Sequence, residues 1–230
     1  MYKPFGLPND WDYLIILDAC RYDFFVKYWD LSPVEPRISL DSCTLGVLEK
    51  FPRIPSSVVF TGHPFVLTYG NCFERRVDVG FDWSLGTTPP DYVVGKFLAL
   101  RWLFRRYRRK VLWFLQPHHP YIGETKLLIP VMDRRYEGGM PPQEEIERRM
   151  WEAKRKGVLE RAYEDNLKLV LKYVKTLVKM LKGKIIITSD HAEGLAKPLR
   201  EGDEPVMSHP CGRGELEVRL IPYTVIITKR

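Results

Sequence analysis

The segment that most constrains the fold is residues 184–194, Lys-Ile-Ile-Ile-Thr-Ser-Asp-His-Ala-Glu-Gly. Its β-branched run is too short for a globular helix and predicts a buried strand. The strand ends at Asp190-His191, and Gly194 closes the turn that follows. In an open parallel α/β sheet, ligands bind in the crevice beyond the carboxyl ends of the strands. We therefore expect Asp190 and His191 to project into a binding crevice.

Two other apolar segments end in the same way. Residues 13–17, Tyr-Leu-Ile-Ile-Leu, run into Asp18, and residues 111–116 run into His118 and His119. Two carboxylates held close together repel each other, and a bound cation relieves that repulsion. Strands that deliver Asp, His-His and Asp-His to one edge of a sheet therefore predict a metal site. The alternative is that each aspartate only caps the helical turn that follows it.

Predicted strands and helices alternate along the chain. This alternation predicts an α/β protein, a three-layer α/β/α sandwich with a mainly parallel sheet. The clearest helix has apolar residues at helical spacing between Tyr163 and Leu181, with lysines on its other face. For a chain of 230 residues, we expect a single domain over 1–230, with irregular insertions near 62–90 and 117–142.

Composition bears on location and on partners. The sequence shows neither a secretory signal at its start nor an apolar run of membrane-spanning length, and we expect a cytoplasmic protein. The cysteines have no CxxC pairing and are predicted to be reduced, with a disulfide as the minor alternative. The net charge of +7 favours anionic partners such as phosphate esters, nucleic acid or an acidic membrane surface, without choosing among them. The cysteines are Cys20, Cys43, Cys72 and Cys211.

Several segments together resemble the sulfatase-like branch of the alkaline phosphatase superfamily. Residues 12–23 resemble its opening strand, and 188–194, Thr-Ser-Asp-His-Ala-Glu-Gly, are similar to its Asp-His-Gly-Glu metal segment. Residues 116–121, Gln-Pro-His-His-Pro-Tyr, resemble its His-x-Pro turn, and 208–212, Ser-His-Pro-Cys-Gly, resemble its late histidine. The segments follow the family's order over nearly the whole chain. The resemblance implies an alkaline-phosphatase-like fold, a bound divalent metal and a nucleophile at the start of a helix.

The resemblance also implies roles for individual residues. The nucleophile would lie within Ser42-Cys43-Thr44, and Thr44 is our choice because it directly precedes an apolar helix. The alternative is that Thr44 or Ser42 only caps that helix. His119 and His209 would bind the ester oxygens, assist the leaving group or complete the metal shell, whereas His118 and His63 are assigned structural roles. The implied metal ligands are Asp18, Thr44, Asp190, His191 and His209.

Departures from the family pattern narrow the chemistry. Cys43 is followed by Thr-Leu-Gly-Val rather than by the x-Pro-x-Arg of the formylglycine sulfatases, which makes sulfate esters the less favoured substrates. The prediction is a metal-dependent hydrolase or phosphotransferase acting on anionic small-molecule or head-group phosphate esters. One zinc or manganese ion suits the mixed oxygen and imidazole shell, and a second ion at His119 and His209 is the alternative.

The segment Arg101–Lys110 favours a different function. Its arginines are interleaved with aromatic residues at the end of a helix predicted over 91–109. Such a helix suits a phosphate backbone or an acidic membrane surface. The alternative function is therefore a non-catalytic basic module that binds nucleic acid or an acidic membrane on the same fold. Two simpler interpretations are a packed helix with a solvated basic edge and a docking site for a partner protein.

Overall fold

The computed structural model describes residues 2–129, 132, 135, 136 and 139–229. The strands are β1 (Lys3–Pro4), β2 (Tyr13–Leu17), β3 (Glu35–Ile38), β4 (Ile54–Thr61), β5 (Phe73–Asp78), β6 (Arg109–Phe114), β7 (Gly183–Ser189), β8 (Gly194–Leu195), β9 (Met207–Ser208) and β10 (Leu220–Thr228). The helices are α1 (Tyr22–Tyr28), α2 (Thr44–Lys50), α3 (Pro64–Tyr69), α4 (Pro90–Leu100), α5 (Gln143–Arg155), α6 (Leu159–Met180) and α7 (Leu216–Arg219).

A large central sheet has the strand order β1-β3-β10-β7-β2-β6-β4-β5. The five strands from β7 to β5 run parallel, and β10 lies antiparallel between β3 and β7. Strands β8 and β9 pair separately. The predicted α/β fold with a mainly parallel sheet is confirmed.

The central strands are apolar throughout because both faces of the sheet are covered. In β2, Ile15 and Leu17 pack into one core with α1, α4, α5 and α6. Leu14 and Ile16 point to the other face and pack with residues of α2 and α3. Because successive strand residues alternate between faces, one five-residue strand contributes to both cores.

The structure changes several local predictions. The stretch 62–90, predicted to be irregular, contains α3 and β5. The second predicted insertion, 117–142, lies partly outside the described residues. The helix predicted over 91–109 ends at Leu100, and residues 101–106 form successive turns before β6 begins at Arg109. None of the helices in the described ranges is both long and apolar enough to span a bilayer.

Candidate functional site

The ends of β2 and β7 bring two carboxylates and an imidazole together. Leu17 pairs with Ser189, so Asp18 and Asp190 leave neighbouring parallel strands at the same level. One potential ligand atom each from Asp18, Asp190 and His191 lies within 4.8 Å of the others. All three side chains are buried. We call these three residues the strand-end group.

The atoms that face each other in the strand-end group are hydrogen-bond acceptors. His191 Nδ1 donates to the carbonyl oxygen of Ala192 (3.1 Å), which leaves a lone pair on Nε2. That Nε2 atom lies 3.4 Å from Asp18 Oδ1 and 3.4 Å from Asp190 Oδ2. Asp18 Oδ1 has no hydrogen-bond partner among the described residues. Buried acceptors in contact require a proton or a cation between them, and two carboxylates with one imidazole fit a divalent metal ion.

Thr44 adds a hydroxyl to the strand-end group. Its Oγ1 lies 2.9 Å from Asp190 Oδ2 and 3.2 Å from His191 Nε2. Because a carboxylate only accepts hydrogen bonds, the hydroxyl donates its proton to Asp190. Cys43, rather than Thr44, occupies the N-cap position of α2. The Thr44 side chain therefore does not serve as the cap and is directed to the acidic cluster.

Ser42, the other hydroxyl near the start of α2, makes different contacts. Its Oγ donates to the carbonyl oxygen of Pro210 (2.6 Å) and accepts from the backbone N–H of Arg213 (2.9 Å). Both partners belong to the segment that carries His209. Ser42 therefore fixes this segment, which leaves Thr44 as the hydroxyl that faces the strand-end group.

A second set of potential ligands lies beside the first. His118, Glu193 and His209 also offer ligand atoms within 4.8 Å of one another, and we call them the loop group. His118 Nδ1 donates to the carbonyl oxygen of His119, and His209 Nδ1 donates to Glu193 Oε1 (2.9 Å). Both Nε2 atoms therefore carry lone pairs, yet they face each other at 3.3 Å. This donor set also fits a cation.

His63 orients the carboxylate of Asp18. Its Nδ1 accepts the backbone N–H of Phe65 (3.2 Å), so the ring hydrogen lies on Nε2, which is 3.1 Å from Asp18 Oδ2. With Oδ2 held in this way, Oδ1 is the oxygen that faces the other acceptors. Outer contacts of this kind fix the orientation of metal-binding side chains.

Burial sets the protonation of the loop group. Burial lowers the pKa of His118 to about 4 and that of His209 to about 3. Burial raises the pKa of Glu193 to about 7. Burial also acts to raise the pKa of Asp18, but nearby imidazoles, that of His118 above all, lower it below its usual range. At neutral pH, His118 and His209 are thus neutral and able to offer lone pairs to a metal.

Both groups adjoin a cavity of about 310 Å³. Thr44, His118, His119 and His209 line its polar end. None of the described residues that line it is a lysine or an arginine. Its apolar walls are formed by Leu45, Phe65, Leu115, Met132, Met140 and Ile146.

A disulfide between Cys43 and Cys211 joins the start of α2 to the segment that carries His209. The prediction of reduced thiols is therefore wrong for this pair, whereas Cys20 and Cys72 are free and buried. The two bridged cysteines are 168 residues apart. Only the folded chain brings them together, and the spacing of the cysteines alone does not indicate it.

The predicted site residues meet at one edge of the sheet. Asp18, Thr44, Asp190 and His191 lie together. His209 contacts Glu193 in the loop group, with its ring centroid 4.5 Å from that of His191. His119 lines the cavity next to the loop group. Its Nδ1 donates to the carbonyl oxygen of Ile129 (2.7 Å), and its ring centroid lies 4.0 Å from that of His118.

The sequence interpretation missed three residues. His63 and His118, which were assigned structural roles, contact Asp18 and His209, and Glu193 was not selected at all. His63 follows the apolar strand β4 as Asp18 follows β2, so the strand-end rule applies to it equally. Glu193 directly precedes β8 and His209 directly follows β9, so the pairing of Gly194 with Ser208 brings the two side chains together, and this pairing of two short strands is not visible in the sequence.

No protein-family model and no curated protein matches the sequence. Solved structures do match. An integral membrane lipooligosaccharide phosphoethanolamine transferase A from Neisseria meningitidis is 13% identical with a TM-score of 0.58, over 99% of this chain and 50% of that one. The periplasmic domain of EptC from Escherichia coli, in complex with zinc, is 11% identical with a TM-score of 0.58, over 99% and 77%. A putative sulfatase from Bacteroides thetaiotaomicron is 13% identical with a TM-score of 0.61, over 97% and 66%. The chain thus spans half of the Neisseria meningitidis protein.

These matches overturn the predicted cytoplasmic location. The Escherichia coli structure is described as a periplasmic domain, and the Neisseria meningitidis protein as an integral membrane protein. The separate prediction of reduced thiols is likewise wrong for the Cys43–Cys211 pair, and such a disulfide is typical of oxidising compartments.

The matches cover almost all of this chain at low identity, so they concern the fold. The matched proteins include two transferases and a putative sulfatase. The resemblance in the sequence is confirmed at the level of the fold, which is alkaline-phosphatase-like and is shared with these transferases and the sulfatase.

Proposed function

We propose that the chain is a metal-dependent enzyme that hydrolyses phosphate esters or transfers their phosphoryl groups, with Thr44 as the nucleophile. The observation that supports this most is the contact of the Thr44 hydroxyl with Asp190 and His191. Beside it lies Asp18 Oδ1, for which the described residues offer no hydrogen-bond partner. Hydroxyl, carboxylates and imidazole are the parts that a metal-activated alcohol requires.

Asp18, Asp190, His191 and Thr44 would hold one ion, zinc or manganese, because both accept mixed oxygen and imidazole ligands. Such an ion, when bound, favours the ionised Thr44 oxygen and neutralises negative charge on the ester. The loop group of His118, Glu193 and His209 would hold a second. We reassign the second site from His119 to His118 because the His118 Nε2 atom faces His209.

The residues of the chain divide the reaction into two steps. In the first, Thr44 Oγ1 attacks phosphorus, its proton passes to Asp190 Oδ2, the phosphorus–oxygen bond to the alcohol breaks, and the leaving alkoxide takes a proton from solvent. In the second, water or an acceptor alcohol attacks phosphorus and releases its proton to solvent, the phosphothreonine bond breaks, and Asp190 Oδ2 returns its proton to Thr44. His119 and His209 line the cavity where this second alcohol enters. His119 Nδ1 donates to Ile129, so its Nε2 lone pair is suited to accept a hydrogen bond from this alcohol.

The cavity bears on the substrate. Its walls are apolar, which suits an apolar group next to the phosphate ester of the substrate. No described lining residue is a lysine or an arginine, so the proposed substrate carries a single esterified phosphate. Phosphate esters are preferred to sulfate esters, because the formylglycine segment is absent. The matched transferases support head-group esters, and the periplasmic description of the EptC domain supports a location outside the cytoplasm.

The test is turnover and metal content of Thr44→Ala, measured on the zinc- or manganese-loaded protein with aryl phosphodiesters, monoesters and sulfates. We expect wild-type protein to bind about one or two ions and to cleave a phosphate ester. Thr44→Ala should keep most of the metal and lose at least about 10³-fold in kcat. Ser42→Ala is the matched control, since it removes a neighbouring hydroxyl outside the strand-end group.

Full turnover by Thr44→Ala would exclude this nucleophile. Loss of turnover in Ser42→Ala alone, with Thr44→Ala active, would move the nucleophile to Ser42. Metal content that is unchanged by Asp18→Asn and Asp190→Asn would exclude the strand-end group as the metal site.

A further inference from the structure

The edge of the sheet opposite the candidate site is basic. The chain enters β6 at Arg109, so residues 101–108 lie where the parallel strands begin, whereas Asp18 and Asp190 lie where they end. Five-residue strands such as β2 separate these edges by about 17 Å. Helix α6 packs against α4 and ends before β7 at the same edge. The cationic side chains that the sequence places there are Arg101, Arg105, Arg106, Arg108, Lys179 and Lys182.

Few carboxylates neutralise this basic edge. Among the described residues, no ion pair involves Arg101, Arg105, Arg106 or Arg108. Lys184, whose ammonium is 3.0 Å away, lowers the pKa of the nearby Asp10, and Arg108 contributes to this lowering, so Arg108 has a partly shared acidic neighbour. All four arginines are exposed. Within the described part of the chain, Arg101, Arg105 and Arg106 therefore form no ion pair, unlike Arg148 and Arg149 of α5, which both pair with Glu145.

Apolar side chains stand among these cations. Trp102 is 62% exposed and Leu103 is 50% exposed, and Met180 at the end of α6 is 44% exposed. The next residue, Phe104, packs edge-on against the core residue Phe60, with ring centroids 5.5 Å apart. The packing of Phe104 holds the turn at residues 101–106 against the core. Within this turn, the backbone N–H of Leu103 donates to the carbonyl oxygen of Leu100 (2.9 Å). Trp102 and Leu103 are thus held outward rather than folded onto the protein.

We propose that the basic edge docks on a bilayer surface that carries anionic phospholipid. Arginine and lysine are attracted to anionic head groups, while tryptophan lies well at the interface between head groups and acyl chains. The aliphatic side chains of Leu103 and Met180 favour lipid over nucleic acid, because a phosphate backbone offers them no apolar partner.

The test is co-sedimentation of the full chain with vesicles of phosphatidylglycerol and phosphatidylcholine, against vesicles of phosphatidylcholine alone. One basic residue near an anionic surface is worth about fivefold in affinity. Arg105→Gln/Arg106→Gln/Arg108→Gln should therefore weaken binding to the anionic vesicles about 100-fold. Trp102→Ala/Leu103→Ala should weaken it about tenfold.

The matched control is Arg148→Gln/Arg149→Gln/Trp151→Ala on α5, which removes two arginines and an exposed tryptophan elsewhere. It should bind anionic vesicles like wild type. The proposal is overturned if wild type binds both kinds of vesicle equally or neither, or if the control and the basic-edge variants lose the same affinity. Binding to duplex DNA that exceeds binding to vesicles, and that Trp102→Ala/Leu103→Ala leaves unchanged, would overturn it in favour of nucleic acid. Wild-type binding to the anionic vesicles should also weaken as the salt concentration rises, and this measurement needs no variant.

Discussion

The strand-end group and the loop group hold similar side chains in different ways. Asp18, Asp190 and His191 directly follow central strands, whose pairing sets their positions. His118 lies four residues beyond β6, where its backbone N–H donates to the carbonyl oxygen of Asp18 (3.1 Å), and His209 directly follows β9, which pairs only with the two-residue β8 among the described strands. The segments of His118 and His209 are fixed by tertiary ties: Asn166 Nδ2 donates to the carbonyl oxygen of His118 (3.0 Å), and the disulfide holds the segment of His209.

Substitutions in the two groups should therefore have different effects. The strand-end group keeps its geometry as long as the sheet exists, so substitutions there should act on charge and metal. The loop group depends on contacts far apart in sequence, so substitutions there should act on geometry and stability together.

The largest contrast is expected between Asp190→Asn and Glu193→Gln. Asp190→Asn removes the charge that contacts the Thr44 hydroxyl, and we expect kcat/KM to fall at least about 10³-fold. Glu193→Gln keeps an acceptor for His209 Nδ1 and removes only the charge of a ligand to the proposed second ion, and we expect a smaller loss of about 10- to 100-fold.

Chelation sharpens this contrast. Burial raises the pKa of Asp190 above its usual range, and the neighbouring charge of Asp18 adds to this effect. In the absence of metal, ionised Asp190 is therefore disfavoured. In the presence of EDTA, Asp190→Asn should therefore melt at a higher temperature than wild type, and with zinc the order should reverse. Equal melting shifts on adding zinc to both proteins would show that Asp190 does not hold the metal.

A smaller effect is expected from Cys43→Ser/Cys211→Ser. Serine keeps a capping side chain at the start of α2, so the double variant tests the cross-link itself. The free energy of unfolding should fall by about 2–4 kcal/mol, because the unfolded chain is no longer constrained. Activity should fall only about tenfold, since Ser42 still bonds Pro210 and Arg213.

The measurements are urea denaturation and ester turnover with and without a thiol reductant. Wild type should approach the double variant when reduced, and the double variant should not respond. If reduction leaves wild-type stability unchanged, the cross-link does not hold the loop group.

The same difference explains which parts the sequence predicts. The apolar runs before Asp18 and Asp190 predict the two strands, and they also predict that both aspartates lie at the edge of the sheet where these strands end. Both conclusions follow from the local pattern of apolar residues. The pairing of Cys43 with Cys211 and the contact of Asn166 with the His118 turn arise from tertiary packing between distant segments. Local periodicity carries no information on such contacts. The end of α4 at Leu100 was missed because its arginines and aromatics continue a helix-compatible pattern into the turns.

The smallest predicted effect concerns Asp41, which ties the same two segments as the disulfide. Its Oδ1 accepts the backbone N–H groups of Ser42 (2.8 Å) and Gly212 (2.9 Å), and its Oδ2 pairs with Lys50. Burial acts to raise the pKa of Asp41, but Lys50 and the two N–H groups lower it to about 2. An unfolded aspartate has a pKa of about 3.9. Ionised Asp41 therefore stabilises the fold above pH 4, and this stabilisation is lost as the pH falls toward 2.

Asp41→Asn keeps an acceptor for the N–H groups and removes the titration. Its free energy of unfolding should therefore fall less steeply than that of wild type between pH 4 and pH 2, in urea denaturation at matched salt. The difference should be modest because the Lys50 side chain is half exposed. Repeating the comparison in the Cys43→Ser/Cys211→Ser background isolates Asp41 as a remaining tie. If the two pH profiles run parallel in both backgrounds, the carboxylate contributes nothing to holding the loop group, and Ser42 holds it without that charge.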